Sequence, residues 1–110
     1  MPKTLTLADR ATDALWDARN DAEMEPIGAG FRIVHFDTVE RTWKTTSEMH
    51  YNEARKARAK ILAAKALERM GADPVKAAAV TSLLPHSRAA RLVETACPLL
   101  GITQPRRKAA

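Results

Sequence analysis

Alanine is the residue that most limits what this chain can fold into. It occupies 21 of the 110 positions, whereas only five side chains are aromatic. Alanine favours helices but adds little apolar area to a core, so the sequence predicts closely packed helices around a thin core. Because such a core stabilises a monomer weakly, we expect a homodimer or a bound partner to cover part of the apolar surface.

The cysteine content and the hydropathy pattern indicate the environment of the protein. Cys97 is the single cysteine, which excludes an internal disulfide and a thiolate metal cluster within one chain. No apolar run reaches the roughly 18 residues of a membrane span, and the N-terminus carries charges where a signal peptide is apolar. We therefore expect a cytoplasmic protein that makes no membrane contact.

Capping signals and hydrophobic periodicity predict the first elements. Thr6 and Asp9 form a capping box at the start of a helix that Pro26 ends. Residues 31–36 are β-branched and aromatic, and a second strand over 41–45 would complete a hairpin. A lone hairpin is barely stable in water, so the helices or a second copy of the chain must cover it.

Three more helices are predicted after the hairpin. Thr45 and Glu48 form a second capping box, Asp73 precedes a proline as the cap of the next helix, and Ser87 can cap the last one. The apolar stripe of the long helix changes sides midway, which predicts different neighbours at its two ends and suggests a subunit contact. The helix after Asp73 has few polar residues and is expected to be buried on most sides.

The expected fold is mostly α with a small β-hairpin, in one α-rich domain over residues 1–104. The predicted elements are an acidic helix (6–24), a hairpin (31–45), a long helix (46–70), two short C-terminal helices (74–84 and 88–97) and a flexible basic tail (105–110). The two short helices are expected in a helix-turn-helix-like arrangement.

Charge divides the chain into two opposed halves. Residues 1–40 contain four Lys or Arg against eight Asp or Glu, which gives a net charge of −4. Residues 41–110 contain fourteen against five, which gives +9. Each half therefore presents a strong field to a partner, and the basic half has the sign that nucleic acid requires.

The segment 79–93, which is 15 of the 110 residues, resembles the helix-turn-helix motif. Ala79 stands at the small position of the motif's first helix, and Leu84, Ala89 and Leu92 stand at inward positions. The segment departs from the motif in its turn, where Leu83 stands at the position that prefers glycine and is followed by Pro85 and His86. The resemblance implies DNA binding by the second helix, and the alternative is a helical hairpin with a solvated arginine face.

The predicted DNA-contacting residues lie in the basic half. Arg88, Arg91 and Thr95 project together from the start of the last helix, where a recognition helix reads the major groove. Arg55 and Arg58, in a dense basic run on the long helix, are expected to contact phosphates, unless that run is only a solvated face. The tail is expected to neutralise phosphates or follow the minor groove through Arg106, Arg107 and Lys108.

The acidic helix carries a row of carboxylates at i, i+4 spacing. The row consists of Asp9, Asp13, Asp17 and Asp21, and Trp16 lies beside it. Such a row repels itself unless a positive group faces it. The candidates are a basic partner protein that Trp16 anchors, the basic half of this protein, or plain solvent.

No catalytic constellation is visible in the sequence. The three histidines lack metal-ligand spacing, Cys97 has no histidine near it in sequence, and no complete glycine-rich phosphate loop is present. We therefore expect a protein that is not an enzyme and that needs no cofactor or metal.

The sequence favours a small DNA-binding regulator that acts as a dimer through its basic C-terminal half. The main alternative is a phage- or plasmid-type inhibitor that binds a host macromolecular machine, such as a nucleic-acid-binding defence complex, through an acidic helix that mimics DNA. A third hypothesis is an assembly subunit whose alanine-rich helices simply pack together.

Overall fold

The structure, a computed structural model, describes residues 6–103. Within that range the chain forms four helices and a three-stranded antiparallel sheet. In chain order the elements are α1 (Leu7–Ala18), β1 (Ala22–Ile27), β2 (Gly30–Asp37), β3 (Thr42–Thr45), α2 (Tyr51–Arg69), α3 (Pro74–Leu83) and α4 (Ala89–Leu99). The mostly helical class is confirmed, and the order of the elements is compatible with the prediction.

The sheet is a meander in which β2 lies between β1 and β3. The predicted hairpin over 31–45 is present as β2 and β3, and β1 adds a strand on the other side of β2. The inner face of the sheet packs on α2, where Ala22 and Ile33 are buried with Ala54 and Leu62. The long helix therefore supplies the cover that a hairpin needs.

The predicted helix over 6–24 is confirmed at its start and wrong at its end. The capping box is present: the Thr6 hydroxyl accepts a hydrogen bond from the Asp9 N–H at 3.1 Å, and the Asp9 carboxylate accepts from the Thr6 N–H at 3.1 Å. The helix ends at Ala18, and residues 22–27 form β1 instead.

Residues 22–27 form a strand because their apolar spacing also fits the inner face of the sheet. Ala22 and Met24 alternate along β1, and Met24 pairs with the buried Ile33 of β2. Pro26 has no N–H to donate, but an edge strand tolerates this loss. Tertiary pairing with β2 therefore overrides the helical periodicity.

Arg58 of α2 holds the junction between α1 and β1. Its Nε donates to the Ala22 carbonyl at 2.8 Å, and its Nη2 donates to the Arg19 carbonyl at 3.2 Å. Both carbonyls belong to the stretch where the chain leaves α1 and enters the sheet. The guanidinium therefore fixes the direction of this turn against the long helix.

The predicted start of the long helix at residue 46 is wrong. The helix begins at Tyr51, and the capping box of Thr45 and Glu48 does not form there. Its N-cap is His50, which makes no side-chain capping hydrogen bond.

The residues before α2 stay with the sheet, which explains the late start of the helix. Met49 and Phe31 exchange two backbone hydrogen bonds, of 2.8 and 2.9 Å. A Cβ on Gly30 would lie 2.6 Å from the Met49 carbonyl oxygen, so this close approach requires glycine. These bonds satisfy the backbone N–H and C=O of Met49. If the helix began earlier, both groups would need other partners.

The long helix has different neighbours at its two ends, as its sequence pattern predicts. Ala54 and Ala57 of its first half pack on the sheet, and so does Leu62 just past the midpoint. Its second half, with Ala63, Ala66 and Leu67, enters a core shared with α1, α3 and α4. Both sets of neighbours belong to the same chain, so the subunit contact inferred from this stripe is not required.

The start signal of α3 is confirmed, whereas that of α4 is wrong. The Asp73 carboxylate accepts from the Lys76 N–H at 3.0 Å, and Pro74 occupies the first turn. Ser87 does not cap α4, whose N-cap is Arg88 with no side-chain capping bond. The helix also continues to Leu99, beyond its predicted end.

Helix α3 is much more exposed than its composition predicts. Only Ala77 and Thr81 of this helix are buried. Val75 is 63% exposed and Leu83 is 85% exposed, because α2 and α4 contact only one side of the helix. Ala79, predicted to hold the small position of the helix-turn-helix motif, is also exposed. An apolar helix face is therefore left open to solvent.

Replacing Arg58 with Ala should lower the free energy of unfolding by about 1–2 kcal/mol, because two backbone carbonyls lose a charged donor. The matched change Arg55→Ala, at an exposed position on the same helix, should stay within about 0.5 kcal/mol of the parent protein. Urea denaturation followed by circular dichroism measures both values. Equal losses in the two variants would contradict the structural role given to Arg58.

Candidate nucleic-acid interface

Three polar side chains share the outer face of α4. Arg88, Arg91 and Thr95 are all exposed, and their i, i+3, i+7 spacing places them on one side of the helix. Leu92 and Val93 are buried on the side that faces the core. The structure therefore brings these three predicted residues together in the arrangement that the sequence indicates.

The start of α4 is open to an anion. No side chain caps this helix, so the backbone N–H groups of its first turn and the positive end of its dipole lack a capping side chain. A hollow of about 370 Å³ lies beside this turn. The hollow is lined by Leu84, Pro85, His86, Ser87, Arg91, Leu92 and Thr95.

Many of the other basic side chains are used within the fold. Those with a hydrogen bond or ion pair to another part of the chain are Arg19, Arg32, Lys44, Arg58, Lys60, Lys65 and Arg69. Across residues 6–103, the guanidinium groups of Arg88 and Arg91 have no such partner. Their charges remain available to a ligand.

The two predicted residues of the long helix lie at a different place. Arg55 is exposed near the start of α2, and Arg58 is bound to backbone carbonyls. Together with Arg19 and Tyr51, they line a hollow of about 510 Å³. Sequence reasoning missed Arg19, because this residue belongs to the acidic half and meets Arg58 only through the packing of α1 against α2.

The predicted basic residues therefore do not form one continuous surface. Helix α4 shares its core with Ala63 and Ala66, which lie at least two turns along α2 from Arg55. The tail residues Arg106, Arg107 and Lys108 lie outside the described residues.

The structure breaks the predicted row of carboxylates. Asp21 follows the end of α1 and forms an ion pair with Arg69 of α2, so the acidic and basic halves touch. Asp9 belongs to the capping box at the start of α1. Asp13 and Asp17 are the exposed carboxylates of the row that remain on the body of the helix.

Trp16 stands exposed beside these two carboxylates, with 66% of its surface accessible. The guanidinium of Arg19 stacks over its ring at 3.9 Å, which is a cation–π contact. Arg19 also donates from Nη1 to the Trp16 carbonyl at 2.6 Å. One face of the ring is therefore occupied, and the rest is open to solvent.

The described residues give no positive sign of metal or nucleophilic chemistry. Within 6–103, no group of three or more His, Cys, Asp or Glu side chains is placed to hold a metal ion. Cys97 is buried, and burial raises the pKa of its thiol, which reduces the thiolate population near neutral pH. In the same range, no helix combines the length and the apolarity needed to cross a membrane.

No protein family, curated protein or solved structure matches this chain. The function proposed below therefore rests on the residues and their geometry alone.

Replacing Asp17 with Asn should raise the free energy of unfolding by about 0.5–1 kcal/mol. Asp17 lies in the last turn of α1, where a negative charge opposes the helix dipole, and four residues after Asp13, which repels it. Asp13→Asn, in the middle of the helix, should gain only about 0.2–0.5 kcal/mol. Thermal and urea denaturation measure both changes, and a loss of stability in Asp17→Asn would show that this carboxylate has a stabilising partner.

Proposed function

We propose that this protein is a small, non-enzymatic DNA-binding regulator that contacts DNA through the N-terminal part of α4. The observation that carries the proposal is the state of Arg88 and Arg91. Both are exposed at the start of a helix that no side chain caps, and both lack an intramolecular partner among residues 6–103.

The chemistry of this surface suits a duplex. A phosphate placed at the start of α4 would accept hydrogen bonds from backbone N–H groups and gain from the helix dipole. Arg88 or Arg91 would then reach guanine in the major groove with its two parallel donors, and Thr95 would contact a neighbouring base or phosphate.

The relation of α3 to α4 is part of the proposal. Five residues separate Leu83 from Ala89, whereas the turn of a helix-turn-helix has three or four. Ala79, at the small position of the motif, is exposed. We therefore propose α4 as a reading helix supported by α2, with α3 at the side. The proposal is supported by the two exposed arginines at the start of α4 rather than by the motif.

A dimer would use the outer face of the sheet. Phe36 and Trp43 pair across β2 and β3 with their rings edge to face at 5.6 Å, and Trp43 is 57% exposed. The register places Val34 on the same face as these rings. A half-buried Phe36 paired with an exposed Trp43 is a suitable centre for a contact between two copies in the cytoplasm.

Binding should depend on Arg88 and Arg91 and should weaken with salt. Fluorescence anisotropy with labelled duplexes at roughly 50 and 200 mM salt is the measurement. Arg88→Ala and Arg91→Ala should each weaken binding about tenfold, and each should lower the salt slope by about 0.9 for every phosphate contact removed. In both variants the preference for one DNA sequence should disappear before binding to DNA of any sequence is lost.

Lys76→Ala is the matched control, because Lys76 is exposed on α3 away from the hollow beside α4. It should change affinity less than about twofold, as expected for a charge outside the contact. No binding at the lower salt concentration would overturn the proposal. A loss confined to Arg55→Ala would move the interface to the start of α2 and would also overturn it.

The alternative is an inhibitor that binds a basic, nucleic-acid-binding cleft of another protein through α1. The observation that favours it is the unfavourable position of Asp17 in the last turn of its helix, beside the exposed Trp16. A locally destabilising carboxylate next to an aromatic side chain is typical of a functional surface.

Charge reversal on α1 separates the two functions. Asp13→Lys combined with Asp17→Lys should abolish capture of a protein partner from bacterial lysate if the inhibitor hypothesis holds, while the far-UV spectrum stays unchanged. Glu53→Lys, at an exposed position on α2, is the control. Unchanged capture in the α1 variant would reject the inhibitor hypothesis without affecting the DNA-binding proposal.

A further inference from the structure

A cleft of about 520 Å³ lies between the β2–β3 turn, α2 and α3. Its apolar lining comes from all three: Val39 from the turn, Ile61 and Ala64 from α2, and Val75 and Ala78 from α3. The volume falls in the range of small-molecule sites, about 300–1,000 Å³. The cleft exists because α3 is covered on one side only, which leaves its apolar face open.

Each charged side chain of the cleft except one forms an ion pair with a group of opposite charge. The Lys65 ammonium donates to the Thr38 hydroxyl at 2.8 Å and forms an ion pair with Glu68 at 3.2 Å. A backbone hydrogen bond from the Glu40 N–H, together with the Lys44 ammonium at 3.0 Å, holds the pKa of the Asp37 carboxyl below its usual range. Lys44 also pairs with Glu40 at 2.9 Å, so each of these charged groups has a partner of opposite sign.

Lys60 is the exception. Its ammonium donates to the Ser82 carbonyl at 3.1 Å, and within residues 6–103 it makes no ion pair with a carboxylate. His35 adds no second positive charge, because burial and the neighbouring Lys65 ammonium lower the pKa of its imidazole and favour the neutral form. The cleft thus joins an apolar floor to one ammonium that has no carboxylate partner among residues 6–103.

We propose that this cleft binds a small amphipathic carboxylic acid, with its carboxylate on the Lys60 ammonium and its hydrocarbon part on the apolar floor. A monoanion matches the one ammonium of the cleft that lacks a carboxylate partner, and an apolar chain matches the floor. The inference does not rest on the proposed DNA binding, since it concerns a different surface and a different class of ligand.

Octanoate and octan-1-ol are the probes, compared by isothermal titration calorimetry and by amide chemical shifts. Octanoate should bind at least tenfold more tightly than the alcohol, because only the acid forms a charge-assisted hydrogen bond. Shortening the acid should weaken binding about fourfold for each methylene removed from the floor.

Two pairs of variants locate the site. Lys60→Gln should weaken octanoate about tenfold and leave the alcohol unchanged, whereas Lys56→Gln, at an exposed position on the same helix outside the cleft, should alter neither. Ala78→Trp should fill the cleft and block both probes, whereas Ala79→Trp, exposed on the same helix but outside the lining, should leave both unchanged.

Three results would overturn the proposal. The first is no binding of octanoate at millimolar concentration. The second is equal binding of acid and alcohol with no effect of Lys60→Gln, which would indicate nonspecific apolar adsorption. The third is concentration-dependent dimerisation that Ala78→Trp abolishes, since a second copy would then occupy the cleft. If Ala78→Trp fails to fold, the comparison of Lys60→Gln with Lys56→Gln still tests whether octanoate binds at Lys60.

Discussion

Close packing of small side chains around α2 is the constraint on which the rest of the structure depends. Every other helix and the strands β1 and β2 contact this one helix. Ala54, Ala63 and Ala66 are completely buried on it, so its neighbours approach closely without large side chains between them. The thin core expected from the alanine content is therefore distributed along one helix, with the sheet at one end and three helices at the other.

This architecture also decides which charges are free. Elements that crowd around one helix bring the acidic and basic halves into contact, and Asp21 is bound by Arg69 for this reason. Arg58 is occupied by two backbone carbonyls of the α1–β1 junction. The charge asymmetry of the sequence is therefore partly neutralised inside the fold. Among residues 6–103, the exposed charges without an ion pair include Arg88 and Arg91 at the start of α4, Arg55 and Lys56 on α2, and Asp13 and Asp17 on α1. Lys60 at the cleft also lacks a carboxylate partner.

Of the four capping signals in the sequence, those of Thr6 and Asp73 are confirmed, whereas Ser87 does not cap α4 and the signal of Thr45 and Glu48 competes with distant pairing. Thr6 and Asp73 cap their helices as expected, because nothing else in the fold competes for those residues. Thr45 and Glu48 form an equally good local pattern, but the chain after them is held along β2 until the start of α2. Arg88, Arg91 and Thr95 were found from helical spacing alone, whereas Arg19 and the cleft beside Lys60 depend on contacts between elements far apart in sequence.

The sequence by itself determined the mostly helical class, the β2–β3 hairpin, the start of α1 and of α3, and the polar face of α4. These features follow from propensity, capping and periodicity, which act over a few residues. Only the tertiary structure decided that residues 22–27 form a strand, that one side of α3 stays open, and which charged groups are paired. Each of these depends on which distant element comes alongside. Backbone pairing, burial and ion pairs contribute their free energy only after that element is in place.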